Sequence, residues 1–262
     1  MSREVAIDSV LRIGHRGAAG HAPENTLAAI WKARSFHADF VEIDLRETSD
    51  GHLVLLHDET IDRTTNKSGT LAEMSLEQVQ RLDAGNWQRI PTLEEALDIS
   101  GKAIGVILEL KVEGIGNEAC AIVKRVGFSN ALIYASFLID ELHRVRQADS
   151  AAQIMVLLHR HLPPDPVADV LALNASHVGL HYSTVTPALL QTYHELGRQV
   201  FVYTVNDWTD IRRMRELGVD GIVSDYPDRI LPPLRRAFTN QTLCALILQA
   251  AAKARTYVRQ AD

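Results

Sequence analysis

Cysteine is scarce in this sequence: Cys120 and Cys244 are the only two in 262 residues. They lie far apart in stretches that read as helical, which points to reduced thiols and excludes a disulfide-stapled scaffold. A positive excess is missing too. Lys and Arg total 27 against 33 Asp and Glu, a net charge of −6, so no overall field draws in nucleic acid or an anionic membrane. Any affinity for phosphate must come from a local cluster. No apolar run is long enough to span a bilayer. The start, Met1-Ser2-Arg3-Glu4, lacks the charged-then-apolar pattern of a signal peptide. The expectation is a cytoplasmic protein without nucleic-acid partners or stable membrane insertion. No Gly-x-Gly-x-x-Gly follows the first predicted strand, which leaves a dinucleotide-binding open sheet without its fingerprint.

Apolar and charged residues make up 46% and 23% of the chain, ordinary for a globular protein and incompatible with a disordered one. Short β-rich apolar runs recur at 11–14, 40–45, 103–110, 131–135, 153–158, 176–180, 200–205 and 221–224. Segments with apolar residues at i, i+3 and i+4 separate them, as at 25–34 and 208–217. Thr186-Pro187 supplies a cap and a first-turn proline, and Gly197 and Gly218 follow the last turns of two predicted helices. Strands alternating with helices imply parallel pairing with right-handed crossovers. Eight such units predict a closed (β/α)8 TIM barrel, with an open doubly wound sheet as the alternative. The length suits one barrel, which needs about 250 residues. Ser49-Asp50-Gly51 predicts a turn and an extra strand at 51–57, a short insertion after the second strand. The domain expectation is a barrel over 1–234 and a C-terminal helical extension over 235–262. Leu243, Leu246, Ile247 and Ala250 share one face of that extension, which would pack on the barrel or form a homo-oligomer contact.

In a barrel, reactive residues belong at the C-terminal ends of strands and in the loops that follow. Gly14-His15-Arg16-Gly17 offers a titrating imidazole beside a guanidinium suited to phosphate, though such a pair also occurs in plain surface turns. Glu42 and Asp44, two residues apart on a strand, point to one face. Inside a barrel two unpaired carboxylates would be costly, and a divalent cation relieves that cost; a solvated edge strand is the other reading. His57-Asp58 ends the extra strand, with His57 a second acid–base candidate and Asp58 its orienter or a cap. Glu109 and Lys111 share a face at the next strand end, as a further metal carboxylate and an anion-binding cation, or as an internal ion pair. Phe137 and Tyr203 are aromatic wall or packing, and Asn206 and Asp225 orient loops or cap a helix. Oxygen ligands without thiolates point to Mg²⁺ or Ca²⁺. Two histidines near such a cation, with Arg and Lys, suit cleavage of a phosphodiester.

These residues occur within longer motifs. His15-Arg16-Gly17, Ala22-Pro23-Glu24-Asn25-Thr26, Glu42-Ile43-Asp44, Asp50-Gly51, His57-Asp58, Arg63-Thr64-Thr65-Asn66, Pro91-Thr92-Leu93-Glu94-Glu95 and Glu109-Leu110-Lys111 stand in order. Ser136-Phe137, Tyr203-Thr204-Val205-Asn206 and Gly218-Val219-Asp220-Gly221-Ile222-Val223-Ser224-Asp225 continue the series. Over residues 11–232 the sequence resembles the glycerophosphodiester phosphodiesterases, most closely the small cytosolic bacterial type. The resemblance implies a TIM barrel and hydrolysis of small glycerophosphodiesters to sn-glycerol 3-phosphate and an alcohol. It implies Glu42, Asp44 and Glu109 as metal ligands and His15 and His57 as the acid–base pair. Arg16 and Lys111 would bind phosphate, and Phe137 and Tyr203 would lie near the glycerol. The nucleophile is either the neighbouring glycerol hydroxyl, through a cyclic phosphate, or water. One departure stands out: only Gln88-Arg89-Ile90 separate Trp87 from the Pro91 motif, where the family carries a longer stretch on the leaving-group side. A relative acting on lysophospholipid or sphingolipid headgroups is the alternative function, and a non-catalytic phosphodiester-binding protein is a second.

Overall fold

The computed structural model describes residues 10–230. The predicted extension 235–262, Cys244 within it, and the boundary after 234 lie outside the described residues.

Eight parallel strands close on themselves. In chain order they are β1 (Leu11–Gly14), β2 (Phe40–Glu47), β4 (Gly105–Leu110), β5 (Leu132–Ser136), β6 (Gln153–Leu158), β7 (His177–His181), β8 (Gln199–Tyr203) and β9 (Gly221–Ser224). Each pairs with the next, and β1 pairs with both β9 and β2, which shuts the barrel. A ninth strand, β3 (Leu53–Leu55), runs antiparallel on β2. Around the barrel run α1 (Leu27–Ser35), α3 (Leu93–Ser100), α4 (Gly116–Val126), α5 (Ile139–Ala148), α6 (Ala168–Ala172), α7 (Pro187–Glu195) and α8 (Trp208–Leu217), with α2 (Leu76–Val79) in the insertion. The predicted (β/α)8 barrel is the observed architecture.

Strands buried on both faces read as near-continuous apolar runs, as in Gly105–Leu110. Alternate residues divide between two cores. Ile13, Ile107, Ile133, Met155, Leu157, Phe201 and Val223 fill the barrel interior. Val41, Ile43, Val106, Leu108, Val156 and Val202 pack outward against Ile30, Ala33, Leu97 and Leu142 of the helices. Gly221 is needed inside: a Cβ there would lie 2.7 Å from the Phe201 ring and 2.9 Å from Ile13. The caps follow the sequence. Thr26 accepts the Ala29 N–H at 3.2 Å, Thr92 and Glu95 form a capping box, and Pro187 opens α7 behind Thr186.

Two predicted boundaries shift. The strand expected from 103 starts at Gly105, because Ala103 is still bonded to Ser100 in the turn after α3. The extra strand expected over 51–57 spans Leu53–Leu55, because Thr48 and His52 close a tight turn around Gly51. The insertion extends over residues 48–92 and carries a small core of its own, with Val54, Leu56, Ile61, Leu71, Val79, Leu82 and Ile90 buried together.

Candidate active site

The loop after β1 is bent by two left-handed residues, Arg16 at φ 49° and Gly17 at φ 89°. A non-glycine residue there stores strain; Gly17 is required, since a Cβ would meet Ala29 of α1 at 2.5 Å. The bend aims the Arg16 N–H at Glu42 Oε2, 2.9 Å away. His15 stays in the β ladder through its N–H to the Ser224 carbonyl, at 2.9 Å. Its Nδ1 lies 2.7 Å from Asp225 Oδ1 and its Nε2 lies 4.0 Å from Glu42. Asn206 holds Asp225 in turn, donating to Oδ2 at 2.5 Å and accepting the Asp225 N–H at 2.9 Å. Burial opposes charge on His15, but the bond to Asp225 and the charge of Glu42 outweigh it and raise its pKa.

Register brings the carboxylates together. Glu42 lies opposite Ile107 and Asp44 opposite Glu109 across β2 and β4, so all face the barrel axis. Glu42, Asp44 and Glu109 each place an oxygen within 4.8 Å of the others. Asp44 is 1% exposed, held by reciprocal bonds with Asn25: its Oδ2 accepts from Nδ2 at 2.7 Å and its N–H donates to Oδ1 at 3.1 Å. Lys111 Nζ donates to Glu109 at 2.7 Å and lies 3.6 Å from Asp44. Arg16 Nε is 3.3 Å from Asp44 Oδ2, near enough for an ion pair but off the line of a hydrogen bond. Glu42 Oε1 is buried without any hydrogen-bond partner. Burial, and then the charge of Asp44, push Glu42 up to about 8, and the same causes raise Glu109. Three clustered carboxylates with an orphaned oxygen fit a hard divalent cation: such an ion satisfies the oxygen and offsets the repulsion.

His57 comes from the insertion. Arg46 of β2 donates from Nε to the His57 carbonyl at 2.8 Å, which holds the end of β3 over the barrel mouth. His57 Nδ1 lies 2.6 Å from Asp58 Oδ1. Burial lowers its pKa, against the opposing pull of Asp44 and Asp58.

His15, Arg16, Glu42, His57, Glu109 and Lys111 line one cavity of about 370 Å³. Phe137 and Tyr203 line it as well, above a floor that includes Ile107, Phe201 and Val223. Phe137 stacks on His159 at 4.3 Å, and the Tyr203 hydroxyl is already used, donating to the Leu158 carbonyl at 2.5 Å. Asp44 lies just beneath, in contact with Arg16 and Lys111. The structure thus brings all nine sequence-predicted site residues to one place. Sequence reasoning gave no role to His181, which also lines the cavity, nor to Arg46, Glu24 and Arg63. Glu24 and Arg63 stood in motifs, a signal that marked them without saying what they touch.

The profile of the glycerophosphoryl diester phosphodiesterase family matches residues 15–229. That span covers every residue of the cavity and most of the chain. The chain belongs to this family. It is 35% identical over 232 residues to YhdW of Bacillus subtilis strain 168, covering 84% of this chain and 96% of that one. It is 34% identical over 239 residues to a glycerophosphodiester phosphodiesterase of Caldanaerobacter subterraneus subsp. tengcongensis, covering 86% and 98%. Among solved structures it is similar to an Oleispira antarctica phosphodiesterase in complex with its product sn-glycerol-3-phosphate. That likeness has a TM-score of 0.78 and 29% identity, with 85% and 95% of the two chains covered. As a glycerophosphodiester phosphodiesterase, the chain is a phosphoric diester hydrolase. Among its described residues no helix is long and apolar enough to cross a membrane.

Proposed function

We propose that this enzyme hydrolyses small glycerophosphodiesters to sn-glycerol 3-phosphate and an alcohol, using a divalent cation, Mg²⁺ or Ca²⁺, and the pair His15 and His57. The carrying observation is the convergence of Glu42, Asp44 and Glu109 within 4.8 Å, beside a cavity that two histidines and two cations line together with Glu42 and Glu109. The reaction is supported by family membership and by the product named for the Oleispira relative.

Glu42, Asp44 and Glu109 would hold the cation, which when bound draws charge from the phosphoryl oxygens as a Lewis acid. Arg16 and Lys111 add fixed positive charge where the transition state builds negative charge. Lys111, which donates to Glu109 at 2.7 Å and also lines the cavity, is within reach of a substrate phosphate there. One histidine accepts the proton of the attacking hydroxyl and the other gives a proton to the leaving alkoxide. Asp225 and Asp58, each on an Nδ1, leave both Nε2 atoms to the cavity. Phe137 and Tyr203 form the apolar wall for the glycerol carbons. We further read the protein as cytoplasmic, from its composition, with a barrel domain over 1–234, a reading that the family match over 15–229 supports. A homo-oligomer contact through 235–262 is a separate proposal from the sequence pattern.

The test is release of glycerol 3-phosphate from a panel of soluble glycerophosphodiesters, with micellar lysophospholipid and sphingolipid as further arms. We expect turnover of the soluble esters, loss of activity in excess EDTA, and recovery with Mg²⁺ or Ca²⁺. Full activity in EDTA refutes the metal role, and turnover of the micellar lipids alone refutes the substrate class.

A further inference from the structure

Arg63 lies on the insertion, five residues after Asp58, and none of the roles above uses it. Its Nε donates to Asp58 Oδ2 at 2.6 Å. Its Nη1 and Nη2 donate to the two oxygens of Glu24 at 2.7 and 2.8 Å. Glu24 belongs to the loop between β1 and α1, and there it also accepts from Arg16 Nη1 at 2.8 Å. A continuous chain of charge-assisted bonds therefore runs from Arg16 through Glu24, Arg63 and Asp58 to His57.

We propose that Arg63 is a positioning residue for His57, clamping Asp58 against the imidazole and hanging that clamp from Glu24 on the barrel. The inference rests on the reading of His57 as a proton-transfer group. The planar guanidinium is suited to this task. Its N–H groups form a fixed fork, so a bidentate grip on Glu24 sets the direction in which Nε points at Asp58. The bond from Arg63, followed by that from His57, holds the Asp58 carboxyl well below the usual carboxylate range. An ionised carboxylate only accepts, so His57 Nδ1 carries the proton and Nε2 presents its lone pair to the cavity. Asp58 has no other side-chain donor among the described residues besides His57 and Arg63. Without Arg63 the carboxylate is free to turn, and the imidazole loses both its orientation and its tautomer. The Arg63 side chain is 49% exposed, and ion pairs so open to solvent add little to stability. Its effect is therefore expected in the geometry of His57 and not in the persistence of the fold.

The test compares the full-length wild type with Arg63→Gln, Arg63→Lys, Asp58→Asn and the double variant Arg63→Gln/Asp58→Asn. Arg63→Gln should lower kcat by up to about 10-fold, the cost of a slightly misplaced catalytic group, with KM changed much less. Arg63→Lys should recover part of that loss, because an ammonium can reach Asp58 or Glu24 but does not reproduce the fork. The double variant should be no worse than Asp58→Asn alone, since both changes break one unit. Ring ¹⁵N NMR of His57 should show the Nδ1–H tautomer in the wild type and a mixture in Arg63→Gln. The melting midpoint should fall by only about 2–4 °C. Wild-type kcat in Arg63→Gln, a loss confined to KM, additive losses in the double variant or an unchanged His57 tautomer each overturn the clamp. An inactive wild type whose His57 tautomer still depends on Arg63 counts against the reaction and supports the clamp.

Discussion

The two histidines reach the same cavity from differently built supports. His15 extends the β1 ladder and is held by Asp225 and Asn206, side chains that follow neighbouring barrel strands. His57 stands on an insertion with its own small core, tied to the barrel mouth by Arg46, Asp58, Arg63 and Glu24. The His15 side chain is 19% exposed and that of His57 33%. The barrel side relies on the β ladder and on an aspartate that Asn206 fixes at both its carboxylate and its backbone N–H. The insertion side relies on ionic links that solvent can reach. Register is as firm as the sheet, whereas an ionic tether can be cut by one substitution.

The largest expected effects come from removing the imidazoles themselves. His15→Ala and His57→Ala should each reduce kcat by about 10²–10⁴, and near wild-type turnover in either would break the symmetry assumed for the pair. The next comparison tests the supports. Asp225→Asn should cost more in kcat than Asp58→Asn, because the Asp225 carboxylate is also fixed by Asn206 within the barrel. We expect about 10²-fold and 10-fold respectively, as for loss of alignment of a reacting group. The opposite order would place the firmer support on the insertion.

A third comparison separates the two cores. Leu71, 1% exposed in the insertion core, should cost about 2–5 kcal/mol on substitution by Ala. The insertion has few residues over which to spread that loss. Activity should fall with His57 displaced, while far-UV circular dichroism of the barrel persists; a single cooperative loss of both would show that the insertion and barrel fold as one unit.

The smallest effect lies at the far end of the barrel. His177, 6% exposed, bonds to Ser176 at 2.8 Å and packs on Phe201. Burial lowers it from an ordinary 6.5 to about 4. Between those values the unfolded chain binds a proton that the folded one refuses. Stability from this group is therefore fully present above pH 6.5 and is lost as pH falls toward 4, by at most about 3 kcal/mol. Urea unfolding at pH 7, 5 and 4 should show a shallower acid decline in His177→Gln than in the wild type. Activity measured at pH 7 should not separate them, which distinguishes this end of the barrel from the mouth.

Much of this was legible in the sequence because the signals are local. Strand and helix alternation depends on side-chain period, and Thr26, Thr92 and Thr186 cap helices through atoms three residues away. The pairing of Glu42 with Asp44 on one face follows from strand geometry alone. Less was visible in the insertion. Its turns at 48–52 limit β3 to three residues, and its small core joins residues from Val54 to Ile90 that no single period links.

What the sequence determined by itself was the order of the barrel units and the kinds of group at each strand end, since both follow from periodicity and residue chemistry. What only the tertiary structure decided was which of those groups share charge. Glu42 is pushed up to about 8 by burial beside Asp44 and the neighbouring strand's Glu109. Glu24 and Arg63, 39 residues apart, meet because the insertion folds back over the first loop. Coulomb energy and desolvation depend on distance and burial in space, and those are quantities that spacing along the chain does not carry.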